Sequence, residues 1–203
     1  MRVLIVFNHP YEKSYCNAVL EAVQKGLSRA GHSIDLIHLD EDGFDPVMRA
    51  KDLKAFVTAA KDSQASYEAL DPLVKAYKIR LQAADFLIFI FPIWWELMPA
   101  LTKGFIDKLI FPGIAYDYND KGNRMLGRLK QLKGVHMITT MNTPAWAYRA
   151  LFGNAIKKAV LFGTFWKIGV PNRKWISLNY VKFTSQQKRE KWLEKLTKRY
   201  ANL

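Results

Sequence analysis

The sequence predicts an α/β protein built on a doubly wound, five-stranded parallel sheet. Short β-branched or aromatic runs alternate with helical repeats of apolar residues along the 203-residue chain, and this alternation is typical of a parallel sheet with helices on both faces. No internal repeat, linker or low-complexity segment interrupts it. We therefore expect one domain over residues 1–203, with strand order 2-1-3-4-5.

The individual elements follow from periodicity and from stop signals such as Gly31. Five strands are predicted, at Arg2–Phe7, Ser33–Leu39, Phe86–Phe91, Gly134–Thr140 and about Trp175–Leu178. Six helices are predicted, at Ser14–Ala30, near Ala50–Ala60, at Pro72–Ala84, at Pro99–Ile110, at about 148–162 and in the basic tail from 184 to 203.

Charge is distributed unevenly along the chain. Residues 1–100 hold 11 basic and 13 acidic side chains, whereas residues 101–203 hold 20 and 5. A basic half indicates an anionic partner such as a phosphorylated cofactor, nucleic acid or an acidic membrane surface. A solubilising surface is the alternative, since the tail places Trp192, Leu193, Leu196 and Tyr200 on one helical face and its cations on the other. The lysines are not interleaved with aromatics in a recognised module, so no nucleic-acid binding is expected.

Cysteine content and hydropathy indicate a cytoplasmic protein. Cys16 is the single cysteine, which excludes an internal disulfide and fits a reducing compartment. The longest apolar run, 86–95, is about half the roughly 20 residues of a spanning helix and is broken by Pro92. The N-terminal segment lacks a cleavage site and predicts a first strand instead of a signal peptide.

The predicted topology locates the candidate site. Open α/β sheets bind ligands outside the carboxyl ends of their strands, where strand order reverses, which here falls between strands 1 and 3. Three loops leave the sheet at this edge, with the sequences NHPYEKSYCN, PIWWELMP and TTMNTPAWAY. These loops are therefore the candidate site.

The first loop predicts an anion site. Ser14 is a good N-cap, and the amides of Ser14, Tyr15, Cys16 and Asn17 stand at a helix N-terminus whose dipole favours phosphate. An ordinary capped helix is the alternative, because neither a dinucleotide fingerprint nor a P-loop is present. His9 has no second ligand at metal-like spacing, so no metal site is expected.

The second loop predicts contact with a flat ligand. Ile93, Trp94 and Trp95 supply large apolar area, and their amides are suited to the polar rim of an aromatic cofactor. The alternative is that both indoles pack beneath the helix that starts at Pro99.

The third loop and a later tyrosine pair complete the candidates. Thr139, Thr140, Met141 and Asn142 offer polar groups to a heteroaromatic ring, or alternatively cap the next helix. Tyr116 and Tyr118 share one side of an extended segment and suit a lid over a substrate, although such a pair is also ordinary in a turn.

These motifs together resemble the flavodoxin-like NAD(P)H:quinone oxidoreductase family, also called DT-diaphorase-like. The family signature FPxxWxxxPAxxKGxxDxxxxxGxAYxY is matched at Phe91, Pro92, Trp95, Pro99, Ala100, Lys103, Gly104, Asp107, Gly113, Ala115, Tyr116 and Tyr118. The likeness extends over nearly the whole chain.

The resemblance implies a noncovalent flavin, FMN or FAD, in a homodimer whose second subunit closes the substrate pocket. His9 and Ser14–Asn17 would hold the flavin phosphate region, Pro92–Trp95 would contact the isoalloxazine through main-chain groups, and Thr139–Asn142 would meet its pyrimidine side. Tyr116 and Tyr118 would line the quinone site. Tyr148 lies near the position of the family's catalytic tyrosine, and Asn154 occupies the position of its histidine partner.

Two departures from the family pattern bear on the chemistry. Many members have Thr-Thr-Gly-Gly after the fourth strand, whereas this chain has TTMN, so side chains are expected to crowd that place. Asn154 cannot take up a proton as the family histidine can.

The resemblance implies a ping-pong reaction in which NAD(P)H reduces the flavin and a quinone-like acceptor then takes up two electrons. One alternative is a regulatory flavoprotein subunit beside a membrane potassium-efflux transporter, contacted through the basic C-terminal half. A flavodoxin-type electron carrier is another, although such carriers are usually acidic. The sequence leaves open FMN against FAD, with a slight preference for FMN, and NADH against NADPH.

Overall fold

Five parallel strands form the central sheet of the computed structural model, which describes residues 1–59 and 62–203. The strands are β1 (Arg2–Phe7), β2 (Ser33–His38), β3 (Phe86–Pro92), β6 (Val135–Thr140) and β7 (Arg173–Leu178), in the order β2-β1-β3-β6-β7. All four neighbouring pairs are parallel. The predicted order 2-1-3-4-5 is confirmed, because β6 and β7 are the fourth and fifth strands of this sheet.

Helices cover both faces of the sheet. On one face lie α1 (Tyr15–Arg29) and the C-terminal α7 (Gln186–Tyr200). On the other lie α4 (Pro72–Gln82), α5 (Ala100–Leu109) and a π-helix (Ile156–Trp166). Four shorter segments complete the helices of the described residues: α2 (Ala50–Thr58), α3 (Ser63–Ala69), α6 (Ala145–Ala150) and the 3-10 turn Val181–Phe183. Across residues 1–59 and 62–203, no helix is both long and apolar enough to cross a bilayer.

The third strand is buried at every position from Phe86 to Pro92. Its side chains alternate between the two faces, with Leu87, Phe89 and Phe91 in one core and Phe86, Ile88 and Ile90 in the other. The continuous apolar run that predicted this strand therefore reflects burial on both sides. The strand extends one residue further than predicted, because Pro92 still pairs in register with Thr140.

Two expectations about secondary structure need correction. The helix predicted over 148–162 is wrong, since α6 ends at Ala150 and the chain turns through Gly153 (φ 69°) and Asn154 (φ 55°) before the π-helix begins. Both residues lie in the left-handed region, which a continuous helix excludes. The antiparallel hairpin of β4 (Tyr116–Tyr118) and β5 (Met125–Gly127) was not predicted. The helix predicted near Ala50–Ala60 is present as α2, and its expected last residue lies outside the described residues.

Helix α5, which follows the second loop, is anchored at two points. A Cβ on Gly104 would lie 2.3 Å from the Cα of Pro46, so only glycine allows this close approach. The Lys108 side chain is 2% exposed, and its Nζ lies 3.6 Å from carboxylate oxygens of both Asp52 and Asp71. Removing either carboxylate would leave a less compensated buried charge. The helix therefore gives the second loop a fixed C-terminal attachment.

The contact between β6 and α7 predicts a pH dependence of stability. His136 Nδ1 lies 3.0 Å from the Tyr200 hydroxyl, and burial, followed by the charges of Lys174 and Arg199, lowers the pKa of His136 to about 4. An unfolded histidine titrates near pH 6.5. As pH falls from about 6.5 to 4, His136 therefore becomes protonated in the unfolded state but not in the folded state. The free energy of unfolding decreases over this pH range.

We expect the free energy of unfolding, measured by urea denaturation between pH 7 and pH 4, to fall less steeply in a His136→Asn variant than in the native chain. Carboxylates contribute equally to both proteins, so the difference between the two curves isolates the histidine. Parallel curves would contradict this account.

Candidate active site

Three loops meet at the carboxyl edge of the sheet, where the topology predicted them. The amide of Ile93 donates to the carbonyl of Thr140 at 2.8 Å, which joins the second loop to the end of β6. The amide of Asn8 donates to the carbonyl of Ile90 at 3.0 Å, and the His9 and Trp94 rings approach edge to face with centroids 6.2 Å apart. The first two loops are therefore in contact above β1 and β3.

The second loop contains a two-residue turn with unusual backbone geometry. The amides of Trp94 and Leu97 each donate to the other residue's carbonyl, at 2.9 and 3.1 Å. Between them, Trp95 and Glu96 have φ angles of 50° and 62°. Turns of this kind usually contain Asn-Gly or Asp-Gly, because both central residues are left-handed. Tryptophan and glutamate cost about 1–3 kcal/mol each in this conformation, so the surrounding structure must stabilise it.

Two side chains of the third loop and α6 stabilise this turn. The Tyr148 hydroxyl donates to the Glu96 carbonyl at 2.9 Å and accepts from the Ile156 amide at 3.3 Å. The Thr143 hydroxyl donates to Glu96 Oε1 at 2.6 Å, while the buried Oε2 has no hydrogen-bond partner within residues 1–59 and 62–203. Burial, opposed by the Ile156 amide, raises the pKa of Tyr148 above that of a free tyrosine.

The turn presents both an apolar surface and free donors. Trp95 is 97% exposed and Trp94 is 47% exposed, so the alternative that both indoles pack beneath α5 is excluded. The amides of Trp95 and Glu96 donate no hydrogen bond to any part of the chain that the structure describes. The turn thus combines two unpaired N–H groups with an indole at the switch point of the sheet.

The start of α1 offers fewer free amides than the sequence suggested. The Ser14 amide donates to the Tyr11 carbonyl at 3.0 Å, and the Ser14 hydroxyl accepts from the Asn17 amide at 3.3 Å, which caps the helix. The amides of Tyr15 and Cys16 remain without an acceptor among the described residues. Any anion at this helix start would therefore be held by these two amides.

The side chains of Tyr15 and Cys16 contact other parts of the protein and do not face the start of α1. The Tyr15 hydroxyl donates to the Arg189 carbonyl of α7 at 2.9 Å, and burial raises its pKa to about 12. Cys16 is buried with Sγ 3.1 Å from the Thr140 hydroxyl, and burial raises its pKa to about 11. Both groups are therefore protonated at neutral pH and serve packing between elements.

His9 and Asn17 shape the first loop. His9 Nδ1 accepts from the Tyr11 amide at 3.1 Å, and the Asn17 side-chain amide donates to the Tyr11 carbonyl at 2.9 Å. Partial burial, opposed by the Asp40 carboxylate, lowers the pKa of His9, so the imidazole is neutral at pH 7.

The hydroxyls of the two threonines that end β6 are used inside the protein. Thr139 accepts a hydrogen bond from the Trp175 indole N–H at 2.9 Å, and Thr140 is paired with Cys16. These side chains therefore stabilise the edge of the sheet.

The next two residues of the third loop do not crowd the edge as expected. Met141 is buried in the core, and its amide donates to the Leu178 carbonyl at 3.0 Å. The Asn142 side chain accepts from the Lys182 amide at 2.9 Å and so caps the 3-10 turn. Both side chains are engaged on the β7 side of the loop.

The predicted tyrosine lid lies away from the three loops of its own chain. Tyr116 and Tyr118 are edge to face with centroids 5.5 Å apart, the first buried and the second 39% exposed. Tyr118 shares a cleft with Trp166 and Gly169, where the π-helix ends. The π-helix starts beside Tyr148 at the carboxyl edge of the sheet and leads to the start of β7 at the opposite edge. Within a single chain, Tyr116 and Tyr118 therefore lie apart from the three loops.

Asn154, the other residue predicted to be catalytic, follows the break after α6. Its amide donates to the Tyr148 carbonyl at 3.0 Å, and the residue lines a cavity on the flank of β7. The side chain's Oδ1 is buried without a hydrogen-bond partner in the described parts of the chain. The sequence did not predict this cavity.

The strand order and helix arrangement define a doubly wound α/β protein of the flavodoxin type. Over residues 1–203 the chain matches the family model described as Flavodoxin-like fold, and it belongs to that family.

Named relatives agree with the resemblance seen in the sequence. NAD(P)H dehydrogenase [quinone] 1 of Rattus norvegicus is 31% identical over 168 residues, covering 71% of this chain and 61% of the relative. The matched part of this chain spans between half and about three fifths of the length of the curated relatives that match it first.

Solved structures also match over the full length of the chain. Smu.1420 from Streptococcus mutans UA159 is 31% identical, with both chains covered completely and a TM-score of 0.83. The NAD(P)H:quinone oxidoreductase from Methanothermobacter marburgensis is 27% identical, with 100% of this chain and 96% of the other covered and a TM-score of 0.83. The resemblance to quinone oxidoreductases is therefore confirmed at the level of family and fold.

The tyrosine that supports the turn yields a stability prediction. In a Tyr148→Phe variant the Glu96 carbonyl and the Ile156 amide lose their shared partner, so we expect the free energy of unfolding to fall by about 1–2 kcal/mol. Guanidinium denaturation would measure it. Tyr67→Phe is the matched control, because the Tyr67 hydroxyl makes no hydrogen bond with the described residues, and it should change stability by less than about 0.5 kcal/mol. Equal stability of Tyr148→Phe and the native chain would refute the supporting role.

Proposed function

We propose that the chain binds a flavin at the carboxyl edge of its sheet and passes electron pairs from NAD(P)H to a quinone or a similar small acceptor. The observation that carries this proposal is the left-handed turn at Trp95 and Glu96, with its two unpaired amides at the switch point. The names of the relatives support the same activity.

The residues present fit a flavin. An isoalloxazine is flat with hydrogen-bond acceptors along one rim, which suits the free amides of Trp95 and Glu96 beside an exposed indole. The free amides of Tyr15 and Cys16 at the start of α1 suit a phosphate. FMN and FAD share this ring and the first phosphate, so the same contacts serve either cofactor.

When bound, the flavin supplies the capacity to accept and donate hydride, and the protein supplies position and electrostatics. Preorganised N–H donors stabilise negative charge that develops at the rim they face. Tyr148 acts on this arrangement as a positioning residue, because its hydroxyl fixes the carbonyl of Glu96. Asn154 has no titratable proton, and Tyr148 is buried with its hydroxyl engaged, so we assign neither of them a proton-transfer step.

A second copy of the chain would complete the substrate pocket. Tyr118 lies away from the three loops of its own chain, and a homodimer would bring the hairpin of one copy over the loops of the other. Exposed apolar side chains suit such a contact: Trp146, Leu151, Phe152 and Trp166 are between 49% and 67% exposed. We propose that Tyr116 and Tyr118 line the acceptor site in this way.

The charge of the C-terminal half supports one competing function. A net charge of +15 over residues 101–203 would suit a regulatory subunit docked on an acidic membrane or transporter surface. Recovery of the protein with the membrane fraction at low salt, and its release at high salt, would favour that function. A free enzyme would remain in the supernatant. A net charge of +13 for the whole chain disfavours the acidic type of electron carrier.

The proposed function is tested by the visible absorption and steady-state kinetics of the purified protein. We expect a yellow protein that releases FMN or FAD on heating, and parallel double-reciprocal lines when NAD(P)H and a quinone are varied together. Intersecting lines would contradict the two-step reaction. A colourless protein whose melting temperature neither FMN nor FAD raises would contradict flavin binding altogether.

A matched pair of variants tests the turn itself. Glu96→Gly and Glu96→Val both remove the carboxylate that Thr143 contacts, but glycine adopts a φ of 62° freely, whereas a β-branched residue does not. We expect the glycine variant to bind FMN within about threefold of the native affinity and the valine variant to bind about tenfold more weakly, which corresponds to roughly 1.4 kcal/mol. Fluorescence titration measures both, and equal affinities would show that the turn geometry is irrelevant.

A further inference from the structure

A cavity of about 480 Å³ lies on the flank of β7, between α6 and the π-helix. Its rim is basic, formed by Arg149, Lys157 and Arg173. Lys174 also lines the cavity, but its side chain lies on the opposite face of β7 from Trp175 and is directed towards His136 and α7. The remaining wall comprises Asn154, Leu161, Phe162 and Trp175. Among the described residues, no acidic side chain lines the cavity. Cavities of this volume accommodate small organic ligands.

The three cations of the rim are available to a ligand. None of them forms an ion pair with any part of the chain that the structure describes. Arg173 donates one hydrogen bond to the Val170 carbonyl, which fixes the guanidinium and leaves its other donors. Unneutralised like charges around a concave surface attract an anion strongly.

Two aromatic rings form one wall of the cavity. The Trp175 indole donates to Thr139 at 2.9 Å and packs against Tyr148 with centroids 5.3 Å apart, so this ring is held in place. Phe162 is 48% exposed, and the Arg173 guanidinium carbon lies 5.9 Å from its ring centroid. Indole and phenyl rings provide stacking surfaces for an aromatic group.

We propose that this cavity binds a phosphorylated nucleoside, with phosphate at the basic rim and the base against Trp175 and Phe162. Inorganic phosphate would leave the aromatic wall unused, and a neutral aromatic compound would leave three cations uncompensated. A phosphorylated nucleoside uses both parts of the cavity.

The position of the cavity points to the source of this ligand. Tyr148 connects the cavity with the turn, because its hydroxyl contacts the Glu96 carbonyl of the turn while its ring packs on Trp175, which lines the cavity. We assign the cavity to the adenosine 2′-phosphate end of NADPH, an assignment that rests on the proposed function. NADPH would then be the preferred electron donor. A free nucleotide that acts as a regulator would offer the cavity the same phosphate and base.

The site is tested by calorimetric titration of the native protein with adenosine 2′,5′-bisphosphate. We expect one site per chain, with adenosine and inorganic phosphate each binding more weakly than the bisphosphate. In an Arg149→Gln/Lys157→Gln double variant we expect affinity to fall at least tenfold, because charge-assisted contacts to phosphate are lost. Lys158→Gln is the control, since Lys158 is an exposed neighbour that does not line the cavity, and it should bind as the native chain does. No binding, or equal binding by the double variant, would overturn the site.

Kinetics separate the two sources of the ligand. If the cavity holds the end of the electron donor, the bisphosphate inhibits competitively against NADPH, and the double variant loses the preference for NADPH over NADH. An unchanged KM for NADPH in the presence of bound bisphosphate would overturn that assignment in favour of a free nucleotide. A colourless protein that still binds the bisphosphate would contradict the proposed flavin chemistry alone, whereas a yellow protein that ignores the bisphosphate would contradict the cavity proposal alone.

Discussion

The site depends on one backbone constraint, the left-handed turn at Trp95 and Glu96. Two non-glycine residues in this conformation are unfavourable by themselves. The turn persists because Trp94 and Leu97 close it with paired hydrogen bonds and because Tyr148 holds the Glu96 carbonyl. The same geometry leaves two amides and an indole facing outward. The strained turn at the edge of the sheet thus presents preorganised contacts to a flat ligand that has hydrogen-bond acceptors along its rim.

The rest of the fold fixes where this turn stands. The chain enters it from β3, which is buried along its whole length, and leaves it into α5, which Gly104 and Lys108 hold against the remainder of the protein. A rigid attachment on both sides limits the positions that the turn can adopt. Tyr148 then couples the turn to the flank of β7, where it packs on Trp175. Tyr148 therefore links the turn to a residue that lines the basic cavity.

Much of the fold could be predicted from the sequence, because buried parallel strands appear as continuous apolar runs and strand order determines where loops meet. The three loops and the anomalous pair Trp94 and Trp95 were identified on that basis. The turn itself was not, since its central residues lack the glycine or asparagine that usually indicates left-handed backbone. The break after α6 could have been predicted from Gly153. The role of Tyr148 could not be predicted from the sequence, because it depends on a contact with a residue 52 positions away.

The central claim is that the outward amides of the turn are the donors that bind the flavin ring. Amide hydrogen exchange at Trp95 and Glu96, followed by NMR with and without FMN, tests this directly. The account predicts rapid exchange at both amides in the free protein and strong protection once FMN is bound, with little change at the Trp94 and Leu97 amides that are already paired. Exchange at Trp95 and Glu96 that FMN leaves unchanged, in a protein that demonstrably binds it, would contradict the account.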